Sequence, residues 1–170
     1  MSVLTVLTYP DPFLRRSMTP VADFDDTVRR IIADMAETMY AEPGVGLAAT
    51  QVGIDRRIIV YDVSASDTPP QPQALVNPQI VAAEGEQLSE NEGCLSVPDF
   101  RADVTRAWRV EVTGINQDGE SVRIAAEGFP AIVLQHEIDH LNGVLFIDRI
   151  SRLKRELYRR RVSKQLKQSA

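Results

Sequence analysis

Over residues 26–40 the apolar positions Val28, Ile31, Ile32, Met35 and Met39 recur at helical spacing on one face. That pattern predicts an amphipathic helix, with Asp25 or Asp26 capping its start and Pro43 and Gly44 ending it. The period then changes. Residues 56–64 and 73–84 read as strands separated by a proline-rich loop. Residues 108–115 and 121–127 flank Asn-Gln-Asp-Gly and read as a hairpin. Pro130 suits the first turn of a second helix, which runs through Ile132, Val133 and Leu134 until Gly143 stops it. This helix is apolar almost all round, which predicts burial at the centre of the domain. Strands in succession, without alternating helices, argue for an α+β fold: antiparallel sheets around the central helix, with one helix near each end of the chain. In the last segment Ile150, Leu153 and Leu157 share a face, while Val162 and Leu166 drift off it. That spacing predicts docking only as far as about Tyr158.

A chain of 170 residues that is 44% hydrophobic and 25% charged fits one globular domain, and no run approaches the ~18 apolar residues of a membrane span. The single cysteine, Cys94, excludes an internal disulfide and suits a reducing compartment. The N-terminus lacks the basic flank of a secretory signal, so a cytoplasmic protein is expected. Charge is distributed unevenly. Residues 149–170 hold nine Lys/Arg and one acid, a net +8, whereas residues 1–148 hold ten basic and 23 acidic residues, a net −13. We therefore read the acidic 1–148 as the main part and 149–170 as a basic extension of the same domain.

Both histidines, His136 and His140, lie on the predicted central helix with Glu137 between them. Four residues turn through ~400°, so two imidazoles about 6 Å apart along the axis can share one metal ion. Glu137 lies ~100° round and can reach a water at the metal without ligating it. The longer pattern H-E-x-x-H-x-x-G-x-x-H fails at its last position, where Phe146 replaces a third histidine. A catalytic site of this type ordinarily has three protein ligands. Cys94, a soft thiolate donor beside Gly93, completes it best. Asp139 could orient a ligand or lie exposed, and stays unassigned. In the glycine-rich residues 43–53, Gln51 offers an amide that can polarise a carbonyl; read alone, the segment is a tight turn.

Taken together, three segments resemble the peptide deformylase family, whose motifs G-Φ-G-Φ-A-A-x-Q, E-G-C-Φ-S and H-E-Φ-D-H stand here at residues 44–51, 92–96 and 136–140 without a departure. The early Tyr-Pro-Asp-Pro-Phe-Leu-Arg is similar as well. The resemblance implies removal of the formyl group from N-formylmethionyl nascent peptides. It implies one divalent ion, natively Fe(II) and replaceable by Zn, Ni or Co, on Cys94, His136 and His140. Glu137 would be general base and acid, and Gln51 with the Leu95 backbone N–H would stabilise the oxyanion. Substrate would lie along Val45, Gly46 and Gly93, with Phe129, Ile132 and Val133 around the methionine side chain and Arg101 on the peptide. A basic tail in such bacterial enzymes implies docking on ribosomal RNA near the exit tunnel, with no DNA or membrane partner.

Two other readings compete. One is an H-E-x-x-H endopeptidase with Asp148 as third ligand; the other is an RNA-binding module whose structural metal takes a fourth, carboxylate ligand.

Overall fold

A computed structural model describes residues 1–169. After a 3-10 turn at Pro12–Arg15 comes helix α1, Asp26–Ala41, followed by strands β1 (Gly46–Ala48), β2 (Ile58–Tyr61), β3 (Gln73–Glu84), β4 (Gln87–Cys94), β5 (Val97–Arg106), β6 (Arg109–Ile115) and β7 (Ser121–Glu127). Helix α2, Phe129–Leu141, precedes a 3-10 turn at Phe146–Arg149 and the C-terminal helix α3, Arg152–Ser169. This is the expected α+β fold with antiparallel sheets. Asp25 is the residue that caps α1, its side chain accepting from the Val28 amide at 3.0 Å.

One sheet has the order β1-β2-β3-β6-β7 and a second pairs β4 with β5, every pairing antiparallel. All four residues of β2 are buried, and their alternation divides the core. Ile58 and Val60 pack with Val28, Met35 and Met39 of α1, whereas Ile59 and Tyr61 pack with Leu134, Ile138 and Leu141 of α2. The five-stranded sheet is thus covered by a helix on each face, and α2 lies in the interior as its composition predicts. Gly143 follows α2 at φ +73°, a left-handed conformation, and a Cβ there would collide with the Arg15 carbonyl.

Three details differ from the sequence reading. The predicted strand at 56–64 is limited to Ile58–Tyr61. The β4–β5 ribbon has no apolar signature in the sequence, because the buried residues of β4 are Ser89 and Glu92, set three apart across a register shift. Helix α3 does not dock through Leu153 and Leu157, which are 70% and 57% exposed; its buried residues are Tyr158 and Val162. The partner surface, formed by Leu14, Val97 and Phe146, selects that face. No helix among the described residues is long and apolar enough to cross a membrane.

Candidate active site

The β4–β5 ribbon, the segment after α1 and the exposed side of α2 enclose a cleft of about 830 Å³. Val45, Gly46, Gln51, Gly93, Cys94, Leu95, Arg101, Phe129, Ile132, Val133, His136 and Glu137 all line it, so every predicted site residue except His140 reaches its surface. His140 is buried immediately beneath.

The end of β4 brings Cys94 to the two histidines of α2. Cys94 Sγ lies 3.3 Å from His140 Nε2, which lies 3.3 Å from His136 Nε2, and one donor atom from each residue falls within a 4.8 Å set. Among the described residues this is the one group of three or more such side chains suited to holding an ion. A thiolate and two imidazoles form a donor set for Fe, Zn, Ni or Co rather than for Mg or Ca. Three protein donors facing an open cleft leave a position free, unlike a closed structural site.

His136 is held from behind. His136 donates from Nδ1 to Glu92 Oε1 at 2.6 Å, which leaves Nε2 facing Cys94 and His140. Phe146, standing where a third histidine would have been, stacks on the His136 ring with centroids 6.3 Å apart and planes at 24°. The buried Arg106 binds Glu92 through Nε at 3.2 Å and also through Nη2, and reaches Asp139 Oδ2 at 2.8 Å. Asp139 in turn accepts two bonds of 2.7 Å from Arg149. The previously unassigned Asp139 therefore belongs to a charge chain running from His136 to the surface. Sequence reading gave no role to Glu92 or Arg106. The available signal was an arginine at an inward position of an alternating strand, since Ala102, Val104 and Arg106 all face in.

Electrostatics follow from this packing. Burial works against the charge of Glu92, but His136 and Arg106 outweigh it and hold the carboxyl at about 2. Burial, the largest influence on Glu137, pushes its carboxyl up to about 7. Its Oε2 is buried without a hydrogen-bond partner, as is His140 Nδ1. Burial also opposes protonation of His136, yet its hydrogen bonds to Cys94 and Glu92 raise it well above the ordinary value; burial and His136 lower His140.

Gln51, in the 3-10 turn Ala49–Val52, is fixed at both ends of its amide. Oε1 accepts from the Ala48 amide at 2.9 Å, which turns Nε2 toward Cys94 Sγ at 3.5 Å and Ser96 Oγ at 3.2 Å. Leu95 stands in the turn between β4 and β5, its side chain against Gly44. Arg101 folds over Gly93 and donates from Nη1 to the Asn91 carbonyl at 3.2 Å. Asp148 is absent from the metal group: it forms a two-bond pair with Arg15 and accepts from the Leu145 amide. That pairing removes the endopeptidase ligand set.

The protein is thus of the class that pairs an α+β fold with an open cleft and a candidate Cys-His-His metal centre. Comparison with known proteins narrows the class. The family model described as polypeptide deformylase matches residues 3–156. A peptide deformylase of Desulfosudis oleivorans is 53% identical over 169 residues, covering 99% of this chain and 98% of that protein. Among solved structures, a peptide deformylase from Legionella pneumophila superposes with a TM-score of 0.89 at 42% identity, covering 99% of this chain and 98% of the other. That from Ehrlichia chaffeensis in complex with actinonin gives 0.90 at 38% identity, covering 97% and 98%. This chain belongs to the polypeptide deformylase family.

Proposed function

We propose that the cleft described above is where this enzyme works, and that Cys94, His136 and His140 hold its ion. As a family member the chain removes the N-terminal formyl group from nascent peptides. The observation that carries the site assignment is the convergence of one donor atom from each of those residues beside the partnerless buried oxygen of Glu137.

When bound, a divalent ion there supplies Lewis acidity, lowering the pKa of water and polarising a carbonyl. Fe(II) is the proposed native ion, with Zn, Ni or Co able to replace it. Glu137 takes the proton from the attacking water and returns it to the leaving amine. Glu137 lines the cleft and its Oε2 has no hydrogen-bond partner, so no existing bond has to break first. Gln51 Nε2 and the Leu95 backbone N–H donate to the formyl oxygen as it gains charge, and the Ala48 amide keeps the Gln51 donor pointing inward. Val45, Gly46 and Gly93 offer backbone to an extended peptide. Phe129, Ile132 and Val133 receive the methionine side chain, and Arg101 meets the following residues. Val45 and Phe129, both about half exposed, form an apolar rim that such a ligand would cover.

The anaerobically purified protein tests this reading by metal analysis together with turnover of formyl-Met-Ala-Ser. About one Fe(II) per chain, with activity that decays in air, is expected of an oxidisable thiolate site. Equal turnover after complete metal removal would overturn it.

The basic helix α3 suits a polyanionic partner, and ribosomal RNA near the exit tunnel fits an enzyme acting on new chains in the bacterial cytoplasm. Salt-sensitive ribosome binding that persists after deletion of residues 159–170 would refute that docking mode.

A further inference from the structure

We infer that Arg161 and Tyr158 of α3 are positioning residues for the peptide-binding wall of the cleft, because they grip from outside the segment 98–101 whose inner side lines it. Pro98, Asp99, Phe100 and Arg101 all face the cleft. On the outer side, Arg161 Nη2 donates to the Asp99 carbonyl at 2.7 Å, and its guanidinium lies over the rings of Phe100 and Tyr158 at 5.8 and 5.4 Å. Tyr158 stacks on Phe100 with centroids 4.6 Å apart and planes at 22°.

The segment needs such a support. Asp99 holds φ at +60°, a left-handed conformation that is costly for a residue with a side chain. Two residues on, Arg101 must cross Gly93 at close range, its Nη1 3.0 Å from where a Cβ would stand. A change in the Asp99 peptide therefore moves the guanidinium assigned to the peptide portion of the substrate. The same stack extends inward, since Phe100 lies 6.0 Å from Phe146, which covers His136. Yet His136 is held separately by Glu92, so the outer grip governs the peptide wall rather than the metal ligands.

This role rests on the cleft assignment made above, and it predicts an effect on binding without an effect on chemistry. With formyl-Met-Ala-Ser, Arg161→Ala should raise KM about 3- to 10-fold while kcat stays within about twofold. Affinity for the product Met-Ala-Ser, measured by calorimetry on the metal-loaded enzyme, should fall by the same factor. Tyr158→Ala should act in the same direction, and Tyr158→Phe, which keeps the ring, should match the unsubstituted enzyme. Arg161 is exposed, so Arg161→Ala is expected to keep the native Tm and metal content. The proposal is overturned if that variant shows unchanged KM and product affinity, if kcat falls at constant KM, or if Tyr158→Phe is as impaired as Tyr158→Ala. Product binding needs no turnover, so a failure of the catalytic assignment would be seen separately.

Discussion

His136 and Glu92 are joined by a 2.6 Å hydrogen bond that fixes which imidazole nitrogen faces the cleft. Removing the carboxylate frees the ring to adopt the other tautomer and leaves Arg106 without its main partner. Glu92→Ala should lower metal affinity about 10- to 100-fold, read by competition with a chelator. An unchanged affinity would mean that ring stacking on Phe146 alone orients the ligand.

Glu137 and Cys94 separate chemistry from binding. Glu137→Ala should keep full metal content and lose about 10²- to 10⁴-fold in kcat, the usual range for a lost general acid-base group. Cys94→Ala should instead lose metal, since the two histidines alone leave the donor set incomplete. Metal analysis of both variants decides; a Cys94→Ala protein with normal metal and activity would refute the three-donor site.

Gly46 touches Glu137 more closely than any side chain permits. A Cβ at residue 46 would stand 2.7 Å from Glu137 Oε1 and 2.9 Å from Cδ and Cγ. Gly46→Ala must therefore displace the carboxylate. The expected result is a fall in kcat of at least about tenfold with metal content intact, and a variant with normal kcat would show that Glu137 has room to move.

Asp62 gives the fold a pH dependence remote from the metal. Burial opposes its charge, but hydrogen bonds from Ser64, Tyr40 and the Ser64 and Gln71 amides prevail and hold the carboxyl well below its ordinary 3.8. A carboxyl depressed in the folded state binds protons more weakly there than in the unfolded chain. Its stabilisation is therefore complete above the unfolded value and is lost as pH falls toward the folded one. The Tm gap between the native protein and Asp62→Asn should be constant near pH 6 and shrink below about pH 3.8. A gap that persists unchanged at lower pH would exclude this role.

How far the sequence discloses this molecule depends on where the information lies. Helix α1, strand β3 and the β6–β7 hairpin were legible because their apolar periods are regular and their turns carry Asp, Pro or Gly at the deciding positions. Strand β4 was hidden because its buried residues, Ser89 and Glu92, are polar and set three apart, which leaves no apolar period to read. The docking face of α3 was misjudged for a related reason. Leu153 and Leu157 have helical spacing, but only a tertiary partner, the ring of Phe100, makes Tyr158 the anchor. The three motifs brought most of the candidate site residues into view, the family resemblance added Arg101, Phe129, Ile132 and Val133, and the fold gathers all but His140 on a single surface. Glu92, Arg106 and Asp139 could not be linked from sequence, because their relation is a charge chain across two strands and a helix.

The candidate site joins segments that are far apart along the chain. The contact of Gln51 with Cys94 spans 43 residues and that of Cys94 with His140 spans 46. Cys94 meets His140 only where the end of β4 packs against α2, so the donor set is complete only in the assembled fold. Helix α2 alone, although it carries both histidines, has only two of the three donors. Any ion captured by the full set binds the native state in preference to the unfolded one, and raises stability by mass action as its free concentration exceeds its dissociation constant. Metal supply in the cell would then set how long each copy lasts, as well as how fast it works.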